Sequence, residues 1–354
     1  MGKGAERVLM KGNEALAEAA IQAGCRHFFG YPITPQTELS AYMSRQMPKV
    51  GGIYLQAESE IAAINMVLGA ASAGLRVMTS SSSPGISLKT EGISYLAGSD
   101  LPCLIVDIMR AGPGLGGIQP AQGDYNQVTK APGHGDFHIL VFAPSSVQEM
   151  VDLVFLAFDR AEEYRVPAMI LGDGLLGQMM EPLVFPERKE EGRKKPWATT
   201  GHQNSRPKNI VNSLYLKANL LEEKNRERQQ RYEKIIENEQ RSEEYLTEDA
   251  EIVVVAYGAS ARIARSAVNS AREKGIKAGL FRPITLWPYP KKALGALGEK
   301  VKQFLCVEMS MGQMVDDVKL STSCKVPVAF FGRCGGIIPT PQEVLAEIEK
   351  LAGR

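Results

Sequence analysis

The sequence predicts an α/β protein: a doubly wound parallel sheet followed by a smaller C-terminal α/β domain. Three observations carry this expectation. From residue 14 to about 185, short apolar runs alternate with longer alanine-rich or amphipathic runs, the pattern of parallel strands with helices on both faces. Residues 186–250 break that pattern with dense charge. The alternation resumes at Ile252-Val-Val-Val-Ala256 and runs to the end. Three segments are therefore expected: a domain over 1–185, a charged helical insertion or linker over 186–250, and a second domain over 251–354. A chain of 354 residues suits about two domains.

Taken in order, Glu14 to Ala23 reads as a helix stopped by Gly24, and His27-Phe-Phe-Gly-Tyr31 as a strand entering a turn. Ile53 to Gln56 is a strand. Glu60 to Ala73 is a strong helix stopped by Gly74. Strands follow at Arg76–Thr79, Leu101–Met109 and His138–Ala143. A helix capped by Ser145 or Ser146 runs to Arg160 before a strand at Ala168–Gly172. The second domain repeats the logic: strand Ile252–Tyr257, helix Ala261–Lys274 stopped by Gly275, strands Lys277–Phe281 and Phe304–Glu308, and a closing helix Pro341–Leu351. In the charged middle, Glu222 with Arg226 and Glu227 with Arg231 stand at i,i+4, the spacing of an exposed helix.

Bulk properties narrow the function. The net charge of +1 provides no field for nucleic acid, and no run approaches the roughly 20 apolar residues of a membrane span. Neither nucleic acid nor membrane is an expected partner. No signal peptide is visible, so the expected location is cytoplasmic. The five cysteines (Cys25, Cys103, Cys306, Cys324, Cys334) form no C-x-x-C pair, so no cluster is expected on this chain. His134 and His138 stand four apart but in a glycine-rich loop, not on a helix. No metal is assigned.

Two glycine signals mislead. Gly112-Pro-Gly114-Leu-Gly-Gly117 matches a dinucleotide fingerprint, but Ile118-Gln-Pro-Ala-Gln-Gly123 follows, and no helix starts where a pyrophosphate would need one. Gly172-Asp173-Gly174 resembles the start of a diphosphate–magnesium motif, yet the asparagine that would complete the metal shell is missing from 198–203. Three other segments are more informative. Tyr31-Pro32-Ile33-Thr34-Pro35 is a stiff turn at a strand's carboxyl end. Glu60 opens a helix that contains many small residues, with Glu58 as its rival. Arg110 closes an apolar strand, and its fork suits a carboxylate. Each has an ordinary structural reading when taken alone.

Together these words resemble the alpha (pyrimidine-binding) subunit of the 2-oxoacid:ferredoxin oxidoreductases. The resemblance is carried by Tyr31-Pro-Ile-Thr-Pro35, Glu58-Ser-Glu60-Ile-Ala-Ala-Ile64, Ser80-Ser-Ser-Ser-Pro-Gly85 with Glu91-Gly92, Arg110-Ala-Gly-Pro113, Gln122-Gly-Asp124 and Gly133-His-Gly-Asp136. Tyr257-Gly-Ala-Ser260, Arg282-Pro-Ile-Thr-Leu-Trp-Pro288, Val307-Glu-Met309 and Gly312-Gln313 extend it.

The resemblance implies a thiamine-diphosphate-binding fold of pyrimidine type. It also implies oxidative decarboxylation of a 2-oxoacid with coenzyme A to acyl-CoA and CO2, with electrons passing to ferredoxin. Glu60 would bond the cofactor's pyrimidine ring. Tyr31, Pro32, Ile33, Ser82 and Ser83 would line the cofactor site, and Thr34 and Arg110 would hold the substrate carboxylate. Mg2+ and 4Fe-4S clusters would lie on partner subunits: a diphosphate-binding beta subunit, a gamma subunit and a ferredoxin-like cluster subunit. The wording is closest to the types acting on 3-methyl-2-oxobutanoate, which is favoured, and on 2-oxoglutarate. A non-catalytic assembly subunit is the reading from another class.

Overall fold

The computed structural model describes residues 7–187 and 194–354. Its strands in chain order are β1 (Val8–Lys11), β2 (His27–Gly30), β3 (Ile53–Gln56), β4 (Val77–Ser81), β5 (Leu104–Met109), β6 (Leu140–Phe142), β7 (Ala168–Asp173) and β8 (Met180–Leu183). After the charged stretch come β9 (Ser242–Tyr245), β10 (Ile252–Val255), β11 (Ala278–Pro283), β12 (Thr285–Trp287), β13 (Gln303–Glu308) and β14 (Val328–Gly332).

One sheet has seven strands in the order β12-β6-β7-β5-β4-β2-β3, parallel except for β12. The central strands β4, β5 and β7 are buried along their whole length, as expected for parallel strands covered on both faces. The second sheet runs β14-β13-β10-β11-β9, with only β9 antiparallel. An antiparallel ribbon pairs β1 with β8. The α/β architecture expected from the alternation is the one found.

Several elements differ from the sequence reading. β12 leaves the C-terminal sequence to extend the seven-stranded sheet, and β9 comes from the charged stretch to edge the five-stranded one. Within that stretch, helix Ala218–Asn238 forms, and Arg226 pairs with Glu222 at 2.7 Å. Arg231 does not take Glu227: it reaches Asp100 at 2.5 Å, while Lys224 takes Glu227. Arg228 and Tyr232 are buried, so the helix is docked and only part of it faces solvent. Part of the run Pro186–Pro196 (188–193) lies outside the described residues.

The strand order sets up the site. β2 is followed in sequence by β3 on one side, and β3 by β4 on the other side of β2. The connections diverge there, leaving a crevice at the carboxyl ends of β2 and β4, where open α/β sheets take ligands. Helix Glu60–Ser72 leaves β3 at this crevice. Ser59 caps it, accepting from the Ala62 N–H at 3.1 Å, and Ile64, Val67 and Ala71 pack inward. Helix Pro84–Gly98 leaves β4 beside it. The two helices meet at Gly92, where an added Cβ would stand 2.4 Å from Ile64.

Gln122 ties the two sheets together. Its amide donates to the Tyr257 carbonyl at 2.9 Å and accepts from Ser260 Oγ at 2.8 Å and the Met309 N–H at 3.0 Å. Both of its ends are fully buried. Removing it strands three buried polar groups, each costing about 1–3 kcal/mol. Gln122→Ala is expected to destabilise the chain by roughly 3 kcal/mol, measured by chemical denaturation.

Candidate functional site

The turn after β2 is held from beneath. Gln36 is fully buried; it donates to the Tyr31 carbonyl at 3.4 Å and accepts from Ser80 Oγ at 2.6 Å. Asn13 donates to the Pro35 carbonyl at 2.8 Å. Pro32 and Thr34 are thereby presented at the surface, with Tyr31 and Ile33 half-buried.

Glu58 and Glu60 differ in placement. Glu58 is exposed, whereas Glu60 is 6% exposed. The Glu60 carboxyl lies against Gly85: an added Cβ there would sit 2.7 Å from Glu60 Oε1 and 2.1 Å from Ser81 Oγ. Glycine is therefore required for the carboxyl to come this close. The Lys89 ammonium donates to the Glu60 carbonyl at 3.3 Å.

Across the crevice, Arg110 Nη1 donates to the Thr34 carbonyl at 3.0 Å. The two residues expected to hold a substrate carboxylate are thus in direct contact. Arg110 Nε is buried without a partner, as are Ser81 Oγ and Ser82 Oγ. Ser83 adopts φ 24°, a strained value for a non-glycine residue. Its Oγ accepts from the Arg110 N–H at 3.0 Å and donates to Asp124 Oδ2 at 2.5 Å, while its N–H donates to Asp107 Oδ1 at 3.2 Å.

Ser83, Arg110 and Asp124 line a cleft of about 560 Å³ with Ala111, Met309 and Gln313. Glu60 and the Tyr31–Thr34 turn lie outside its walls. Sequence reasoning missed Gln36, Lys89 and Asp107. Gln36 follows the turn directly and offered a signal by position; the other two acquire meaning only from burial.

The remaining motifs are mechanical. Asp173 accepts from the Leu175, Leu176 and Ala259 N–H groups, so it caps helices from both domains. The Gly112 loop folds back on itself through Ala111 N–H to Gln119 and Gly117 N–H to Ala111. The next helix is the short Tyr125–Thr129, and the loop has no dinucleotide geometry. His138 stacks on Trp287 at 4.5 Å, while His134 meets Tyr95. Glu308 accepts from the Gln313, Met314 and Val315 N–H groups, fixing the segment that closes the cleft.

Residues 18–252 match the thiamine-diphosphate-binding domain of pyruvate flavodoxin/ferredoxin oxidoreductase, and residues 250–344 match core domain II of pyruvate:ferredoxin oxidoreductase. The chain belongs to the 2-oxoacid:ferredoxin oxidoreductase family.

Among its relatives, the ketoisovalerate oxidoreductase subunit VorB of Methanothermobacter thermautotrophicus is 53% identical, over 98% of both chains. The 2-oxoglutarate synthase subunit KorA of the same organism is 36% identical, over 98% of this chain and 99% of its own. The 2-oxoglutarate:ferredoxin oxidoreductase from Magnetococcus marinus superposes with a TM-score of 0.88 at 26% identity, covering 98% of this chain and 65% of that one. A split-gene transketolase shares the fold, with a TM-score of 0.59 at 14% identity, covering 96% of this chain and 97% of that one. The residues at the crevice fit the family's cofactor. Ser81 Oγ, Ser82 Oγ and Arg110 Nε are buried donors left without partners, and Gly85 clears space beside a buried carboxyl.

Burial, with Asp124 adding to it, holds the Asp107 carboxyl well above the usual range, and burial raises Asp124 as well. The folded chain keeps a proton on Asp107 that the unfolded chain releases above about pH 4. That contribution to stability is present below about pH 4 and is lost as pH rises through the raised value. Asp107→Asn stays neutral and retains an acceptor for Ser83. Thermal denaturation is expected to show a Tm equal to wild type near pH 4 and above wild type in mildly alkaline buffer.

Proposed function

We propose that this chain is the catalytic, pyrimidine-binding subunit of an enzyme that oxidatively decarboxylates 3-methyl-2-oxobutanoate. Coenzyme A takes the acyl group, CO2 leaves, and two electrons pass singly to ferredoxin. The carrying observation is the contact between Arg110 and Thr34 across the crevice from the buried Glu60. Thiamine diphosphate, when bound, supplies the nucleophilic centre and the electron sink. Glu60 holds and exchanges a proton at the pyrimidine ring. Arg110 and Thr34 orient the substrate carboxylate, the fork giving geometry as well as charge. Mg2+ with the diphosphate, and the iron–sulfur clusters, belong to partner subunits of a hetero-oligomer working in the reducing cytoplasm.

The substrate choice rests on this chain's share of the cleft. Arg110 is the one cation among its described lining residues, beside Pro84, Ala111, Met309 and Met311. A 2-oxoglutarate enzyme needs a second cation for the distal carboxylate, whereas a branched-chain substrate needs apolar surface. The 53% identity to a ketoisovalerate oxidoreductase subunit supports the same choice.

In the assembled complex, Glu60→Gln is expected to lower kcat by at least about 100-fold with subunit association unchanged. Normal turnover would instead favour the non-catalytic assembly reading. With a one-electron dye as acceptor, the wild-type complex is expected to oxidise 3-methyl-2-oxobutanoate. Oxidation of 2-oxoglutarate alone would reverse the substrate choice.

A further inference from the structure

Helix Pro84–Gly98 carries a lysine, Lys89, with no exposed surface. Lysine is almost never fully buried unless paired, and an apolar residue of similar volume usually serves a core better than an isolated charge. Lys89 sits one turn beyond Gly85, the residue that lets the Glu60 carboxyl approach. Its Nζ donates to the Glu60 carbonyl at 3.3 Å. Burial pushes the ammonium down to about 8, and among the described residues Glu60 is the charge that opposes this.

The ionisable groups around Lys89 are few. Helix Glu60–Ser72 has none beyond Glu60, and β4 has none. On its own helix, Glu91 takes the Tyr95 hydroxyl at the surface. Asp107 on β5, with Asp124, engages Ser83 at the N-cap of the helix.

We propose that Lys89 is a positioning residue for Glu60. It anchors the first turn of the Glu60 helix and supplies the buried countercharge that keeps the carboxyl ready to exchange a proton with the aminopyrimidine. The inference rests on the pyrimidine-binding reading above. Lys89 itself is fully buried and does not line the cleft, so it acts through Glu60. A lysine kept here for packing alone would be replaceable by methionine without chemical consequence.

The test uses the assembled complex loaded with thiamine diphosphate, comparing Lys89→Met, Lys89→Gln and Glu60→Gln. Glutamine keeps a donor for the Glu60 carbonyl but carries no charge. Hydrogen–deuterium exchange at the cofactor's thiazolium C2 and the pH titration of its imino-tautomer circular-dichroism band are read alongside Tm. Both Lys89 variants are expected to retain cofactor, to slow C2 exchange by about tenfold or more, and to displace the tautomer titration. Lys89→Met is expected to lower the Tm at pH 7, since it leaves the buried Glu60 carboxyl without its countercharge.

Wild-type exchange and titration in either variant would overturn the proposal. So would loss of the cofactor in both, which marks a scaffold residue. Wild-type exchange in Glu60→Gln would instead remove the Glu60 assignment on which the proposal stands.

Discussion

The site depends on how closely two helices can approach where the sheet connections diverge. Helices Glu60–Ser72 and Pro84–Gly98 leave β3 and β4, and two glycines of the second helix take up side chains of the first. Gly92 admits Ile64, and Gly85 admits the Glu60 carboxyl and Ser81. An alanine at either position would place a methyl group well inside van der Waals distance. Driving the helices apart would then expose Glu60 and open a path for water to Lys89. Two glycines thus keep the Glu60 carboxyl and the Lys89 ammonium in a low-dielectric setting, where charges interact more strongly than in water.

That setting costs stability. The end of β4 buries Thr79, Ser80, Ser81 and Ser82 in succession, and Thr79 Oγ1, Ser81 Oγ and Ser82 Oγ have no partner within the chain. Ser83 continues the run with a strained backbone. An apolar strand would pack better here. Unsatisfied polar groups and strain concentrate where structure is held for a ligand. The stability lost at the crevice is offset elsewhere, in the clasp around Gln122 and in Arg282, whose guanidinium bridges Glu149 at 2.8 Å and Glu243 at 2.7 Å.

Much of this was legible in the sequence. β2 through β7, and then β10, β11 and β13, announce themselves as short apolar runs between glycine and helix signals. β9 and β12 do not: Ser242-Glu-Glu-Tyr245 reads as part of the charged run, and Thr285-Leu-Trp287 is three residues between Pro283 and Pro288. Helix Pro84–Gly98 was hidden for a different reason: serine, glycine and proline at its start read as loop, and only tertiary packing overrides that propensity. Among the site residues, Thr34 and Arg110 could be paired from a resemblance, yet the 3.0 Å contact between them could not. Lys89 looked like any surface lysine, since sequence alone carries no measure of burial.

Motif strength and chemical role also come apart. Gln122 and Glu308 lie in words that resemble the family and Asp173 in one that misleads, and each has its polar atoms taken up within the chain. They hold the second domain's segments against the cleft, so they fix where Met309 and Gln313 stand relative to Arg110. Arg110 itself keeps a buried Nε without a partner. A satisfied polar side chain has no hydrogen-bonding capacity left for a ligand, whereas an unsatisfied buried one does. By that criterion, binding capacity remains at Ser81, Ser82 and Arg110, and the more conspicuous words of the C-terminal half build the frame that holds these groups in register.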